Sequence, residues 1–75
     1  MNNKRRSRIK NILKMLEMCH TELGLLSDEE QEAYDNIPES LQGSDAAYES
    51  EEAVENLSTA NENVEDAIDA LEQIS

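Results

Sequence analysis

The chain has 75 residues, 18 acidic and 6 basic side chains, and a formal net charge of −12 at pH 7. So short a chain holds one domain, residues 1–75, and cannot wrap a thick core, so a scaffold of this size needs disulfides, a metal or a partner subunit. Cys19 is the only cysteine, which excludes an intrachain disulfide, and with His20 it completes the set of soft ligands, too few for a four-ligand zinc cage. Self-association is left as the route to stability.

Two glycines, one proline and no Phe or Trp suit helices and do not suit a sheet sandwich. No apolar run is long enough to span a membrane or to serve as a secretory signal. A lone free cysteine agrees with a reducing compartment, and the cytoplasm is the default expectation. All six basic residues, Lys4, Arg5, Arg6, Arg8, Lys10 and Lys14, lie in the first 14 positions, and all 18 acidic residues lie from Glu17 onward. The chain is a short basic head on a long acidic body, which implies two electrostatically different surfaces.

Met1 to Ser7 reads as a lead-in to helix 1, which begins near Asn3 or Lys4. Ile9, Ile12, Leu16, Cys19, Leu23 and Leu26 are spaced alternately by three and four, the a/d pattern of a helix laid along another helix. Leu13 and Met15 flank this seam and widen it beyond one helix contact. The Lys and Arg side chains of the first turns have the wrong sign for a helix N-terminus, so an acidic neighbour or a bound anion must compensate. Gly24 costs about 1 kcal/mol relative to Ala. Ser27 with Glu30 has the form of a capping box that would start a new helix. The competing reading, preferred here, is one helix over about 3–35, bent near Gly24.

Asn36-Ile37-Pro38 ends it, because the residue before proline is pushed out of the α region. Residues 36–44 form the connection. Pro38 to Gln42 is expected to make one helical turn with Pro38 at its first position, Gly43 to be left-handed, and Ser44 or Asp45 to cap the next helix. Ile37 and Leu41 are expected to plug this end. Helix 2 runs from about 45 to 74, with a seam of Ala53, Leu57, Ala60, Val64, Ala67, Leu71 and Ile74. Val54 and Ile68 form a second, partial stripe with Asn61 between them at seven-residue spacing. Similar lengths and a short connection predict an all-α antiparallel hairpin with Ile12 near Ile68 and Leu26 near Val54. The basic head then lies beside Glu65, Asp66, Asp69 and Glu72. Two helices with more than one apolar stripe each cannot bury everything between themselves, so the hairpin is expected to assemble into a four-helix bundle or a higher helical oligomer.

No catalytic grammar is present, and the protein reads as a non-enzyme. Adjacent residues in a helix point about 100° apart, so Cys19 and His20 cannot face each other as nucleophile and base. They read instead as a core cysteine with a flanking histidine. No calcium-loop or E-x-x-H pattern occurs, so no metal or cofactor is expected. Arg5, Arg6 and Arg8 lie near the packed face, and arginine suits bidentate phosphate recognition. In an oligomer several copies would converge on an anionic, nucleotide-type ligand. The plainer alternative is that the head neutralises acidic residues of helix 2. The head has no aromatic residues interleaved for base stacking and the acidic body repels a long polyanion, so direct DNA binding and membrane binding are not expected. Conversely, carboxylates along a rigid rod imitate duplex phosphates, and Glu55, Glu62 and Asp69 would then contact a basic host protein. The plain alternative here is solubility.

Asp28 to Ser44, DEEQEAYDNIPESLQGS, resembles the turn of small helical-hairpin proteins carried by bacteriophages and prophages. The resemblance implies a viral accessory protein that counters host defence. Two physical types exist among such antagonists. One comprises small helical oligomers similar to anti-CBASS sponges, which sequester nucleotide signals. The other comprises acidic nucleic-acid mimics that block restriction or CRISPR nucleases. A structural or oligomerisation accessory without a ligand is the third expectation.

Overall fold

The computed structural model describes residues 1–74. Two helices, α1 (Asn3–Asp35) and α2 (Asp45–Glu72), pack against each other as a hairpin, and no strand occurs among the described residues. The shape is a rod of 59 × 14 × 13 Å with a Cα radius of gyration of 17.1 Å. A compact chain of this length has a radius of about 11 Å.

Asn2 starts α1. Its backbone is extended, and its side-chain Oδ1 accepts a hydrogen bond from the Arg5 N–H at 2.8 Å. This satisfies one orphan donor without an anion. The misplaced positive charge is met by topology: the antiparallel arrangement sets the N-terminus of α1 at the end where α2 finishes. There the α2 dipole is negative and the last turns carry Glu65, Asp66 and Asp69, so cations are favoured.

α1 runs unbroken through Gly24 and Ser27, so Ser27 caps nothing and no second helix starts there. The N–H of Asn36 donates back to Glu32 O at 3.0 Å, and the N–H of Ile37 to Tyr34 O at 3.1 Å. Pro38 then breaks the helix and precedes, rather than begins, a single 3-10 turn over Glu39–Leu41. The Gln42 side chain donates to Ile37 O at 2.9 Å and ties the turn together. The expected left-handed Gly43 is not found: no described residue has positive φ. The chain reverses instead through extended Ser44, whose Oγ accepts from the Ala47 N–H at 3.3 Å and caps α2. Ile37 is half-buried at this end, but Leu41 is 53% exposed and plugs nothing.

The helices meet along a different line from the one the apolar spacing picks out. His20 Nδ1–H donates to Asn61 Oδ1 at 2.6 Å, which fixes the register. Seven residues forward on α1 match seven back on α2, so Leu13 lies level with Ile68, Ser27 with Val54 and Tyr34 with Ala47. The expected pairing of Ile12 with Ile68 and Leu26 with Val54 is therefore off by one residue. Leu13, Ala47 and Ile68 are the buried apolar residues among those described. The α1 seam is Ile9, Leu13, Leu16, His20, Leu23, Ser27, Glu30 and Tyr34; that of α2 is Ala47, Ser50, Val54, Leu57, Asn61, Val64, Ile68 and Leu71. The expected seam positions Ile12, Cys19 and Leu26 are exposed, as are Ala67 and Ile74, while Ala53 and Ala60 are half-buried at the edge. The reason is the width of the apolar arc on α1. Positions 9, 16 and 23 belong to two overlapping heptads, one continued by 12, 19 and 26, the other by 13, 20 and 27. A single helix covers only one of them, and the polar pair of His20 and Asn61 closes on the second.

Candidate interaction surface

Rotation of the seam leaves a second stripe uncovered on each helix. On α1 it consists of Arg5, Ile12, Cys19, Leu26 and Ala33, bordered by Arg8, Met15, Glu22 and Glu29. Ile12 is 43%, Met15 58% and Leu26 41% exposed, and Cys19 is an exposed free thiol. On α2 it consists of Ala46, Ala53, Ala60 and Ala67, with Ala53 and Ala60 half-buried, continued by Ile74 just past the helix end and bordered by Glu49, Asn56, Asn63 and Ala70. In an antiparallel pair of right-handed helices these flanks fall on the same side of the seam. The hairpin therefore has one broad face with an apolar middle and charged borders, built by both helices, while Met18 and Leu25 are exposed on the outer edge of α1.

The opposite broad face is acidic. There α1 presents Glu17, Asp28 and Asp35, and α2 presents Glu51, Glu55, Glu62, Glu65 and Asp69, with Lys10 and Lys14 as its basic residues, both near the open end. Glu55, Glu62 and Asp69 are exposed and share one helical line at seven-residue spacing, with successive carboxylates about 10 Å apart along the rod. Gln31 extends this polar surface, donating from Nε2 to Asp35 Oδ1 at 2.9 Å.

The three arginines do not act as one group. Arg5 and Arg8 line a shallow groove of about 240 Å³ together with Met1, Ile9 and Ile12, at the head end of the apolar face. Arg6 follows the Leu13 position instead, on the hairpin seam just beyond the end of α2. A second shallow depression of about 370 Å³ lies among Lys14, Glu17, Met18 and Thr21 on the outside of α1. Cys19 and His20 point apart, as helical neighbours must: His20 is half-buried against α2 and Cys19 faces outward. The reading of Cys19 as core and His20 as flank is thus reversed. The Asn61 partner of His20 was visible in the sequence only as a polar gap in the Val54–Ile68 stripe.

Among the described residues no cluster of three or more His, Cys, Asp or Glu side chains is arranged to hold a metal ion. No described helix is long and apolar enough to cross a membrane. Comparison of the chain with family models, with curated proteins and with solved structures finds no match.

Proposed function

We propose that this chain is a non-enzymatic binding protein that self-associates through its apolar face and uses its acidic face to cover a basic surface of a host nuclease or DNA-binding protein. The observation that carries this reading is the division of the hairpin into two unlike faces. The chain exposes 5730 Å². A compact monomer of 8.5 kDa exposes roughly 4,700 Å². The excess is of the order that one partner buries in a standard interface, about 800 Å². A net charge of −12 over 59 Å is roughly one charge per 5 Å of rod; two copies side by side reach about one per 2.5 Å, against one per 1.7 Å on duplex DNA. Pairing of copies thus brings the rod towards the charge density of the polyanion it would imitate. A role in countering host defence is what the resemblance of the turn at residues 28–44 to phage hairpin proteins implies, and the exposed Cys19 thiol fits a reducing host cytoplasm.

Capture of a basic nucleic-acid-binding protein from host lysate, released by added duplex DNA and by salt, is the expected result. A Glu55→Gln/Glu62→Gln/Asp69→Asn variant should lose most of that capture. Recovery of no basic partner, or binding indifferent to salt, overturns the reading.

The groove beside Arg5 and Arg8 favours a second reading, sequestration of an anionic nucleotide-type ligand, with two guanidinium groups on phosphate and Met1, Ile9 and Ile12 against a base or sugar. Calorimetry with cyclic and linear nucleotides tests it. Heat that disappears in Arg5→Ala/Arg8→Ala supports sequestration, and silence across the panel removes it.

A further inference from the structure

Reversal of the exposed α1 stripe sets one charge on its opposite, Arg8 on Glu29, and one large apolar side chain on another, Ile12 on Leu26, while Arg5 falls on Ala33 and Met15 on Glu22. Arg5, Ile12, Cys19, Leu26 and Ala33 are placed symmetrically about Cys19. Arg8, Met15, Glu22 and Glu29 are placed symmetrically about the point between Met18 and Cys19. On α2, reversal about Ala60 sets Ala53 on Ala67, Asn56 on Asn63 and Glu49 on Ala70, so this stripe brings no like charges together. The register set by the His20–Asn61 bond puts Cys19 and Ala60 at nearly the same height on the rod, about two residues or 3 Å apart. One two-fold axis across the rod therefore serves both helices.

From this geometry we infer that the occupant of the apolar face is a second copy of the chain, laid antiparallel so that each basic head rests on the partner's acidic turn end. The inference rests on the self-association proposed above and adds its orientation. In an isologous contact the same patch meets itself, so its charges must be self-complementary under the symmetry operation. The antiparallel choice satisfies this through one pair repeated by the symmetry: α1 lies along the partner's α1, Arg8 meets Glu29 at both ends, and Ile12, Cys19 and Leu26 fill the middle. The parallel choice instead gathers the arginines of both copies at one end and Glu29 and Glu49 of both copies at the other, which repel. The alanine stripe lets the two α2 helices approach closely, and Asn56 and Asn63 bring hydrogen-bonding groups to that approach. The Arg5–Arg8 groove is closed by the partner's turn end, while both acidic faces stay outward.

Mass and orientation are read separately. Sedimentation equilibrium should give twice the 8.5 kDa chain mass at micromolar concentration. Arg8→Glu alone and Glu29→Arg alone should each weaken the dimer about tenfold, and the double variant should recover it. Residues 8 and 29 are about 31 Å apart in one helix, so recovery arises only between copies. In a Cys19→Ser background, Ile12→Cys mixed with Leu26→Cys should form a disulfide across the copies on treatment with diamide. The two thiols then lose their protons and two electrons to the diazene. Ile12→Cys alone should not cross-link, since its own copies lie about 21 Å apart along the rod. A dimer in which Ile12→Cys couples to itself, or in which the charge exchange recovers nothing, overturns the antiparallel arrangement and leaves self-association standing. A chain that stays monomeric, its apolar face open to a different partner, overturns both.

Discussion

His20 and Asn61 show how one hydrogen bond selects between two apolar registers. Each side chain alone is a poor seam residue. Together they satisfy one another at half-buried positions, and the seam they define brings Leu13 onto Ile68. Removing one partner leaves a polar group against apolar neighbours, at a cost of about 1–3 kcal/mol. Asn61→Leu is therefore expected to lower the melting temperature, whereas His20→Leu/Asn61→Leu should regain most of the loss and blur the register, visible as exchange broadening in NMR spectra. Gly24 is the opposite case. A Cβ built there meets Asn61 Nδ2 at 3.9 Å, an ordinary contact, and its φ is not positive. Gly24→Ala should therefore stabilise the hairpin by about 1 kcal/mol in thermal or urea unfolding.

The helices divide their side chains between intrachain packing and surface. Leu13→Ala removes a buried side chain from the seam and should cost about 2–4 kcal/mol, melting both helices together by circular dichroism. Ile12→Ala, one residue away, removes a 43% exposed side chain and should leave the helicity of dilute chain nearly unchanged while lowering its tendency to associate. Comparison of the two variants by circular dichroism and light scattering separates the covered stripe from the uncovered one. The N-terminal cap belongs to this scale too: Asn2→Ala deprives the Arg5 N–H of its acceptor and should fray the first turn at a cost of about 1 kcal/mol.

For the whole molecule, electrostatics decide more than packing. The chain concentrates 18 carboxylates beyond residue 16 and discards compactness for length. Binding carried by such a rod is screened within a Debye length of about 8 Å at physiological salt. The association of the acidic face with a basic partner should thus weaken steeply between 50 and about 300 mM NaCl, whereas the apolar contact between copies should weaken far less. Titrating salt while following mass and partner capture in parallel shows whether the two faces act independently.

Much of this architecture is written locally. Helical periodicity, the Pro38 stop, the Ser44 cap and the segregation of charge are each properties of a few consecutive residues, and they specify two helices, a short connection and a basic head on an acidic body. The surplus of apolar stripe was equally readable, because it is a count of residues around a helix. Which stripe closes the hairpin was not readable from one helix at a time. Ile12, Cys19 and Leu26 are more apolar than Leu13, His20 and Ser27, so spacing and hydrophobicity favour the line that the fold leaves open. The choice depends on a bond between His20 and Asn61, 41 positions apart, and on the handedness that puts the leftover flanks of both helices on one side. Those are properties of two helices held together, and only the tertiary structure contains them.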